Sequence, residues 1–214
     1  MITIGKIKQG TRNRNFLWGH NDFDKADVPS TSLVIISKDF DKRAKLIQNV
    51  STTDNFKVIH LTGLDIISLG TELQKYKGMV KERLKNPDKI MSNFLLCLDD
   101  YDLLLYEENV TSVSLVKNCI NYINDYGKRI GIFLLLGCNS LNERFIENID
   151  NILLLPPYNL SYLHFIFKNS IFEVLSSLDD PIGQFCRMNS ITIDQLKKEP
   201  AVLKNINNVY LFKE

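Results

Sequence analysis

The strongest constraint on the fold is a repeated alternation of short apolar runs with segments of helical periodicity. Five apolar runs have strand length: Leu33–Ile36, Val58–Leu61, Phe94–Leu98, Ile130–Leu136 and Ile152–Leu155. Each run is nearly continuous and is bounded by polar residues, glycine or proline. Strands buried on both faces of a parallel sheet have this pattern, so the sequence predicts five such strands.

Between the runs lie segments in which apolar residues recur every three or four positions, as in amphipathic helices. These segments are Asp41–Val50, Leu64–Leu84, Val110–Tyr126 and Leu141–Ile149. Gly127 follows the third segment and is a candidate helix C-cap. The alternation predicts right-handed crossovers and an α/β fold, with a five-stranded, mostly parallel sheet flanked by helices.

Both ends of the chain depart from this alternation. Residues 1–30 are predominantly polar, with a short apolar island at Phe16-Leu17-Trp18, which predicts a short N-terminal arm packed on the core through that island. Residues 31–214 are predicted to form a single domain. After Pro156-Pro157, residues 160–178 predict one helix or two. Small C-terminal additions, either antiparallel strands or turns, are predicted at Phe185–Met188, Ile191–Ile193 and Val209–Phe212.

Composition narrows the function classes. The chain has 26 Lys and Arg against 25 Asp and Glu, a net charge of +1, which argues against strong attraction to nucleic acid or to an anionic membrane. Its 4 cysteines include no CxxC pair, so we expect neither a zinc site nor a disulfide framework. No apolar run reaches the ~18 residues that a membrane span needs.

The turn after the first predicted strand can be aligned without gaps to the phosphate-binding motif GxxxxGK[ST]. Ser37 and Lys42 then stand at the two glycine positions, Arg43 at the lysine position and Ala44 at the hydroxyl position. In a working loop the glycines let backbone N–H groups surround the phosphates, the lysine reaches the β- and γ-phosphates, and the hydroxyl binds Mg²⁺. The segment has the length of such a loop but lacks its residues.

Each of these departures weakens a nucleotide site. Ser37 and Lys42 add side chains where glycine freedom is needed, and Ala44 has no oxygen for magnesium. Asp41 would set a carboxylate against polyphosphate, and two like charges ~4 Å apart repel by about 4 kcal/mol at an effective dielectric of 20. We therefore expect no resident metal, and ATP and Mg²⁺ bound only weakly if at all. The alternative is an ordinary strand–turn–helix connection that Asp39 or Asp41 caps.

A second motif follows the third predicted strand, where the apolar run ends in Asp99 and Asp100. This is the form of a Walker B strand, in which the first acid holds Mg²⁺ and the second orients the attacking water. The fourth strand ends in Gly137-Cys-Asn139, a small polar cluster where related ATPases carry a sensor residue. The parallel sheet places all three strand ends at one edge.

Together these segments resemble the FtsK/SpoIIIE branch of RecA-like P-loop ATPases, and among them a C-terminal ATPase-like module of EssC-like proteins, the membrane-anchored motors of type VII secretion. The resemblance rests on residues 33–50, 94–100 and 131–137 and spans about two thirds of the chain. It matches Asp99 and Asp100 to the Walker B acids. It also matches Ser37, Lys42, Arg43 and Ala44 to a vestigial nucleotide loop.

The resemblance implies a degenerate ATPase module that takes part in substrate recognition and inter-module contacts during protein export. Its partners would be secreted proteins and neighbouring ATPase modules, at the cytoplasmic face, with the membrane reached only through the parent protein. One alternative is an active, ATP-hydrolysing translocase domain with a non-standard loop. Another is a nucleic-acid motor, suggested by the basic residues Lys75, Lys77, Lys81, Arg83, Lys85 and Lys89.

Overall fold

The computed structural model describes residues 2–9, 12–18, 32–51, 56–86, 92–141, 149, 151–168, 180–198, 201–205 and 208–213. Within these ranges nine strands form one sheet. They are β1 (Ile2–Gln9), β2 (Arg12–Trp18), β3 (Ser32–Ile36), β4 (Lys57–His60), β5 (Phe94–Leu98), β6 (Ile132–Cys138), β7 (Asn151–Leu154), β8 (Ala201–Asn205) and β9 (Asn208–Lys213).

The helices described in the same ranges connect or follow these strands. They are α1 (Phe40–Ser51), α2 (Ile66–Lys85), α3 (Val110–Gly127), α4 (Leu160–Lys168), α5 (Pro181–Asn189) and α6 (Ile193–Lys198). A 3₁₀ helix, Tyr101–Tyr106, lies between β5 and α3, and a second one, Lys128–Ile130, precedes β6. None of the described helices is both long enough and apolar enough to cross a lipid bilayer.

The predicted five-stranded parallel core is confirmed. The sheet order is β2-β1-β9-β8-β7-β3-β6-β5-β4, and β7, β3, β6, β5 and β4 pair in parallel. The strand that precedes the loop motif (β3) and the strand that precedes the two acids (β5) are separated by β6. Since all five strands run the same way, their carboxyl ends meet at one edge, which we call the carboxyl edge.

Side chains of the core strands alternate between two apolar layers. Val34 and Ile36 face the layer that contains α2 and α3, whereas Leu33 and Ile35 face the layer that contains α1. All four side chains are at most 2% exposed. Helices on both faces explain why these strands are continuously apolar, which is the pattern on which their prediction rested.

Four antiparallel strands extend the sheet beyond the predicted core. The β1–β2 hairpin joins the sheet where β1 pairs with β9, β9 pairs with β8, and β8 pairs with β7 at the edge of the parallel core. Residues 16–18 thus lie on a strand of the sheet, and β9 covers the predicted Val209–Phe212 strand. The division into an arm over 1–30 and one domain over 31–214 stays a prediction.

Several local predictions differ from the structure. Phe185–Met188 is helical, because Asp180 caps α5 and Pro181 occupies its first turn. Gly127 is not a left-handed C-cap; its φ is −61°, and a Cβ there would lie 2.4 Å from the Ile132 carbonyl oxygen. The left-handed residue is Gly131, with φ 75°. The predicted Leu141–Ile149 helix and the second half of residues 160–178 lie largely outside the described residues.

Candidate functional site

The turn between β3 and α1 contains three residues, Ser37 to Asp39, because the helix already begins at Phe40. The Ser37 hydroxyl accepts the Asp39 N–H at 3.1 Å. The Asp39 carboxylate accepts the Lys42 N–H at 3.0 Å and so caps α1. Of the two acids that the sequence offers as caps, Asp39 is the one used. Its carboxylate meets a helix-start amide that could otherwise bind phosphate.

The early start of α1 determines where the predicted loop residues lie. The structure brings four of the six predicted site residues into one hydrogen-bonded group, namely Ser37, Arg43, Asp99 and Asp100. Lys42 and Ala44 lie half-buried on α1, outside that group. Asp41, expected in the middle of a cradle, is exposed on the first turn of the helix.

Arg43 is the centre of the group and is fully buried. Its Nε donates to Asp99 Oδ1 at 2.5 Å, and its Nη2 donates to Asp100 Oδ1 at 2.6 Å. Its Nη1 donates to the Ser37 carbonyl oxygen at 2.7 Å and to Asn139 Oδ1 at 2.9 Å. Four of the five guanidinium N–H groups are therefore used, and the positive charge is shared between two carboxylates.

Asp99 is 8% exposed and is fixed from several directions. Its Oδ1 accepts the Asp100 N–H at 2.9 Å as well as the Arg43 Nε–H, while its own N–H donates to the Thr62 hydroxyl at 2.8 Å. Gly137 on β6 leaves the space that this carboxylate needs, since a Cβ there would lie 2.0 Å from Asp99 Oδ1. The small residue at the end of β6 is thus required by the ion pair.

Besides Thr62, Asn139 and Asp102 join the group, and of these three residues sequence reasoning found only Asn139. Asn139, in the polar cluster after β6, donates from Nδ2 to Asp100 Oδ1 at 3.1 Å and accepts from Arg43. Asp102 was missed; its buried carboxylate accepts the N–H groups of Asn139 and Ser140 at 3.0 and 3.1 Å. Only its position on the turn after two strand-end acids could have indicated it.

Nearby thiols and a phenol are kept neutral by burial. Desolvation raises the pKa of Cys97 on β5 to about 12. Burial also raises the pKa of Cys138 above its usual range, and the negative charge of Asp102 adds to this effect. The pKa of Tyr101 is raised mainly by burial and, to a smaller extent, by the neighbouring Cys138. Charge in this region therefore resides on Arg43 and the three aspartates.

The residues at this edge do not fit Mg-ATP. A guanidinium stands between the two acids that would hold magnesium, and the Asp39 carboxylate stands at the helix start that would hold phosphate. The turn of three residues is also shorter than the looped part of the motif. Within the described residues, no group of three or more His, Cys, Asp or Glu side chains is arranged to hold a metal ion.

Most of the basic residues on α2 have partners inside the protein. Lys75 pairs with Glu72. Lys77 and Lys81 stand over the Tyr122 ring, with Nζ 5.2 and 5.7 Å from its centroid. Arg83 is buried and donates to two backbone carbonyl groups. Lys85 is exposed, and Lys89 lies outside the described residues. These contacts weaken the alternative of a nucleic-acid groove along α2.

Known structures share this architecture. The pCW3 conjugation coupling protein TcpA, solved with ATPγS, matches 99% of this chain and 64% of its own, with a TM-score of 0.64 and 8% identity. EssC ATPases 2 and 3 from Geobacillus thermodenitrificans match 98% of this chain and 43% of theirs, with a TM-score of 0.58 and 9% identity. The cytoplasmic domain of the Thermomonospora curvata type VII secretion ATPase EccC matches 97% and 28%, with a TM-score of 0.55 and 12% identity.

Sequence comparisons add nothing to this likeness. No protein-family model matches the chain, and a search of curated proteins finds no match. The chain spans less than two thirds of each of the three similar structures.

Fold and strand order therefore define the class: an α/β domain with the RecA-like P-loop ATPase fold. The resemblance to EssC-type and FtsK-like modules that the sequence indicates is confirmed at the level of fold. In this chain the Asp39 carboxylate caps α1 at the turn after β3, and the Arg43 guanidinium pairs with the two acids after β5.

Proposed function

We propose that this chain is an interaction module of a protein-export motor, built on an ATPase fold whose nucleotide site has become an internal ion pair. The observation that carries the proposal is the fully buried Arg43, held by Asp99, Asp100, Asn139 and the Ser37 carbonyl group. An ion pair in this position joins the ends of the strands and leaves no room for Mg-ATP.

The likeness to EssC and EccC domains supports the placement in a type VII secretion motor. The module would act at the cytoplasmic face, recognise secreted substrates and contact neighbouring ATPase modules, and it would reach the membrane only through its parent protein. These assignments rest on shared fold, and the ion pair supports only the loss of nucleotide chemistry.

Isothermal titration of the chain with Mg-ATP tests the proposal. We expect no binding heat at sub-millimolar nucleotide, because displacing Arg43 would leave the buried Asp99 and the half-buried Asp100 facing the phosphates without a cation. A functional P-loop ATPase titrated under the same conditions is the positive control. Saturable sub-millimolar binding would contradict the proposal.

The alternative, ATP hydrolysis through a non-standard loop, makes a different prediction in a phosphate-release assay. We expect no release above background, and the isosteric Asp99→Asn variant should behave like the parent chain. A rate that Asp99→Asn abolishes would favour hydrolysis.

Filter binding to duplex DNA at two salt concentrations tests the nucleic-acid alternative, and we expect no salt-dependent retention.

A further inference from the structure

Large apolar side chains are exposed around the filled site, at the carboxyl edge of the sheet. Five of them lie in the connections that follow β4 and β5, and they include Ile67 (63% exposed), Tyr106 (78%) and Val110 (76%). The others are Leu64 and Leu103. We call these five residues the apolar rim. Exposed apolar side chains grouped in this way are typical of interaction sites, whereas scattered ones need no explanation.

The two connections that carry the rim are neighbours. β4 and β5 pair in parallel, the Leu61 N–H donates to the Cys97 carbonyl oxygen at 2.7 Å, and the Asp99 N–H donates to the Thr62 hydroxyl. The second turns of α2 and α3 pack together, since a Cβ at Gly70 would lie 3.2 Å from Leu115 Cδ2. The five rim residues therefore lie on two adjoining segments at the same edge of the sheet.

Internal contacts hold this surface in place. Asp65 caps α2 by accepting the N–H groups of Ile67 and Ser68, each at 3.0 Å. Asp102 ties the 3₁₀ helix that carries Leu103 and Tyr106 to the end of β6. A partner would meet a surface that is already ordered, which lowers the entropic cost of binding.

The two connections that carry the rim are rich in acids, of which Asp99 and Asp100 are paired with Arg43 and Glu72 is paired with Lys75. Residues 61–74 and 99–116 contain seven acidic residues and no Lys, Arg or His, although the whole chain carries nearly equal numbers of acids and bases. Asp65, Glu107 and Glu108 are the exposed acids among them that flank the rim. The nearest basic residues in sequence are His60, Lys75 and Lys117.

We propose that the apolar rim docks an amphipathic segment of a partner protein whose apolar residues are flanked by Lys or Arg. The proposal rests on the proposed function, since it names the chemistry of the partner of an interaction module. Apolar contact would supply affinity, and the acids would select a basic segment. The same acids disfavour a second copy of this chain and an anionic membrane, because like charges would face each other.

The test uses the 214-residue chain and a fluorescently labelled amphipathic helical peptide made of Leu and Lys, followed by anisotropy. A peptide with Glu in place of Lys is the charge control. We expect the Leu/Lys peptide to bind, and the Ile67→Lys/Tyr106→Lys variant to bind it about tenfold or more weakly. Met188→Lys is the matched control, since Met188 is 65% exposed on α5, and we expect its affinity to stay within about twofold.

Three outcomes would overturn the proposal: equal binding of the Leu/Glu peptide, unchanged affinity of the folded rim variant, or equal loss in Met188→Lys. Dimerisation or binding to anionic vesicles that the rim variant loses would assign the surface to another occupant and also contradict it. Circular dichroism establishes that each variant is folded. None of these results depends on Mg-ATP, so failure here leaves the nucleotide test of the proposed function independent.

Discussion

Two buried arginines, Arg43 and Arg83, lie at opposite edges of the same sheet and are satisfied in different ways. Arg43 follows β3 at the carboxyl edge and pairs with Asp99 and Asp100. Arg83, in the last turn of α2, donates to the carbonyl oxygens of Ile130 and Ser92 at 2.8 and 2.9 Å and stands over the Phe94 ring. Both are at most 5% exposed, but within the part of the chain that the structure describes only Arg43 pairs with carboxylates.

The two arginines therefore have different roles. Arg83 makes a structural contact with the backbone, whereas Arg43 forms an ion pair at the candidate nucleotide site. Free backbone carbonyl groups occur at most ends of helices and strands. Arg83 therefore needs no acidic partner to connect α2 to the residues that precede β5 and β6. Two strand-end carboxylates that converge on one cation, at the turn where the fold class binds phosphate and magnesium, are a more specific arrangement. Arg43 supplies the positive charge that those carboxylates require.

Removal of Arg43 should have the largest effect. Arg43→Ala leaves two buried or half-buried carboxylates without a cation, and breaking a buried pair in this way costs about 3–5 kcal/mol. Urea denaturation should show that loss in the free energy of unfolding. Arg43→Lys, which keeps the charge but not the forked geometry, should lose less. A change below about 1 kcal/mol for Arg43→Ala would mean that the ion pair does not hold this edge together.

Removal of Arg83 should have a smaller effect. Arg83→Met keeps a long side chain but removes the guanidinium from the Phe94 ring and leaves two carbonyl groups without their donors, at a cost of about 1–3 kcal/mol. Burial lowers the pKa of Arg83, because desolvation disfavours the charged form of its guanidinium. The same denaturation experiment applies. A loss equal to that of Arg43→Ala would remove the distinction between the two arginines.

Thiol labelling should give the smallest and most local signal. Because burial raises the pKa of Cys97 to about 12 and raises that of Cys138 too, neither thiol forms appreciable thiolate near pH 8, and both should resist iodoacetamide. The charge of Arg43 lowers the pKa of Cys138, so its removal alone would reduce labelling, and an increase must come from opening of this edge. We expect that increase in Arg43→Ala, because the Cys138 carbonyl oxygen accepts the Ser37 N–H beside Arg43, and we expect none in Arg83→Met. Peptide mass mapping measures both, with Cys119 as an internal reference. Equal labelling of Cys138 in the two variants would contradict a local role for Arg43.

The parallel core could be predicted because burial on both faces leaves a continuous apolar pattern, and predicted strand ends lie within two residues of those observed. The β1–β2 hairpin was not predicted as part of the sheet, since its residues lack such a run. At α5 the apolar spacing was misread, although Asp180-Pro181 is a helix-start signal.

For the site, Arg43, Asp99 and Asp100 were found because each follows a recognisable strand. Asp102 and Thr62 were not, because they join the group through turns whose shape depends on tertiary contacts. The length of the β3–α1 turn could not be predicted either. The segment aligns to the phosphate-loop motif without a gap, and this alignment does not show where the helix begins.

The central claim is that the Arg43 guanidinium permanently occupies the place of the nucleotide's metal ion. Nuclear magnetic resonance of the arginine Nε–H groups tests it most directly, with the Arg43 signal assigned by its loss in Arg43→Lys. We predict a signal that exchanges slowly with solvent and does not move when Mg-ATP is added. A rapidly exchanging signal, or one that shifts in a saturable way with Mg-ATP, would show that the guanidinium leaves the acids and would contradict the account.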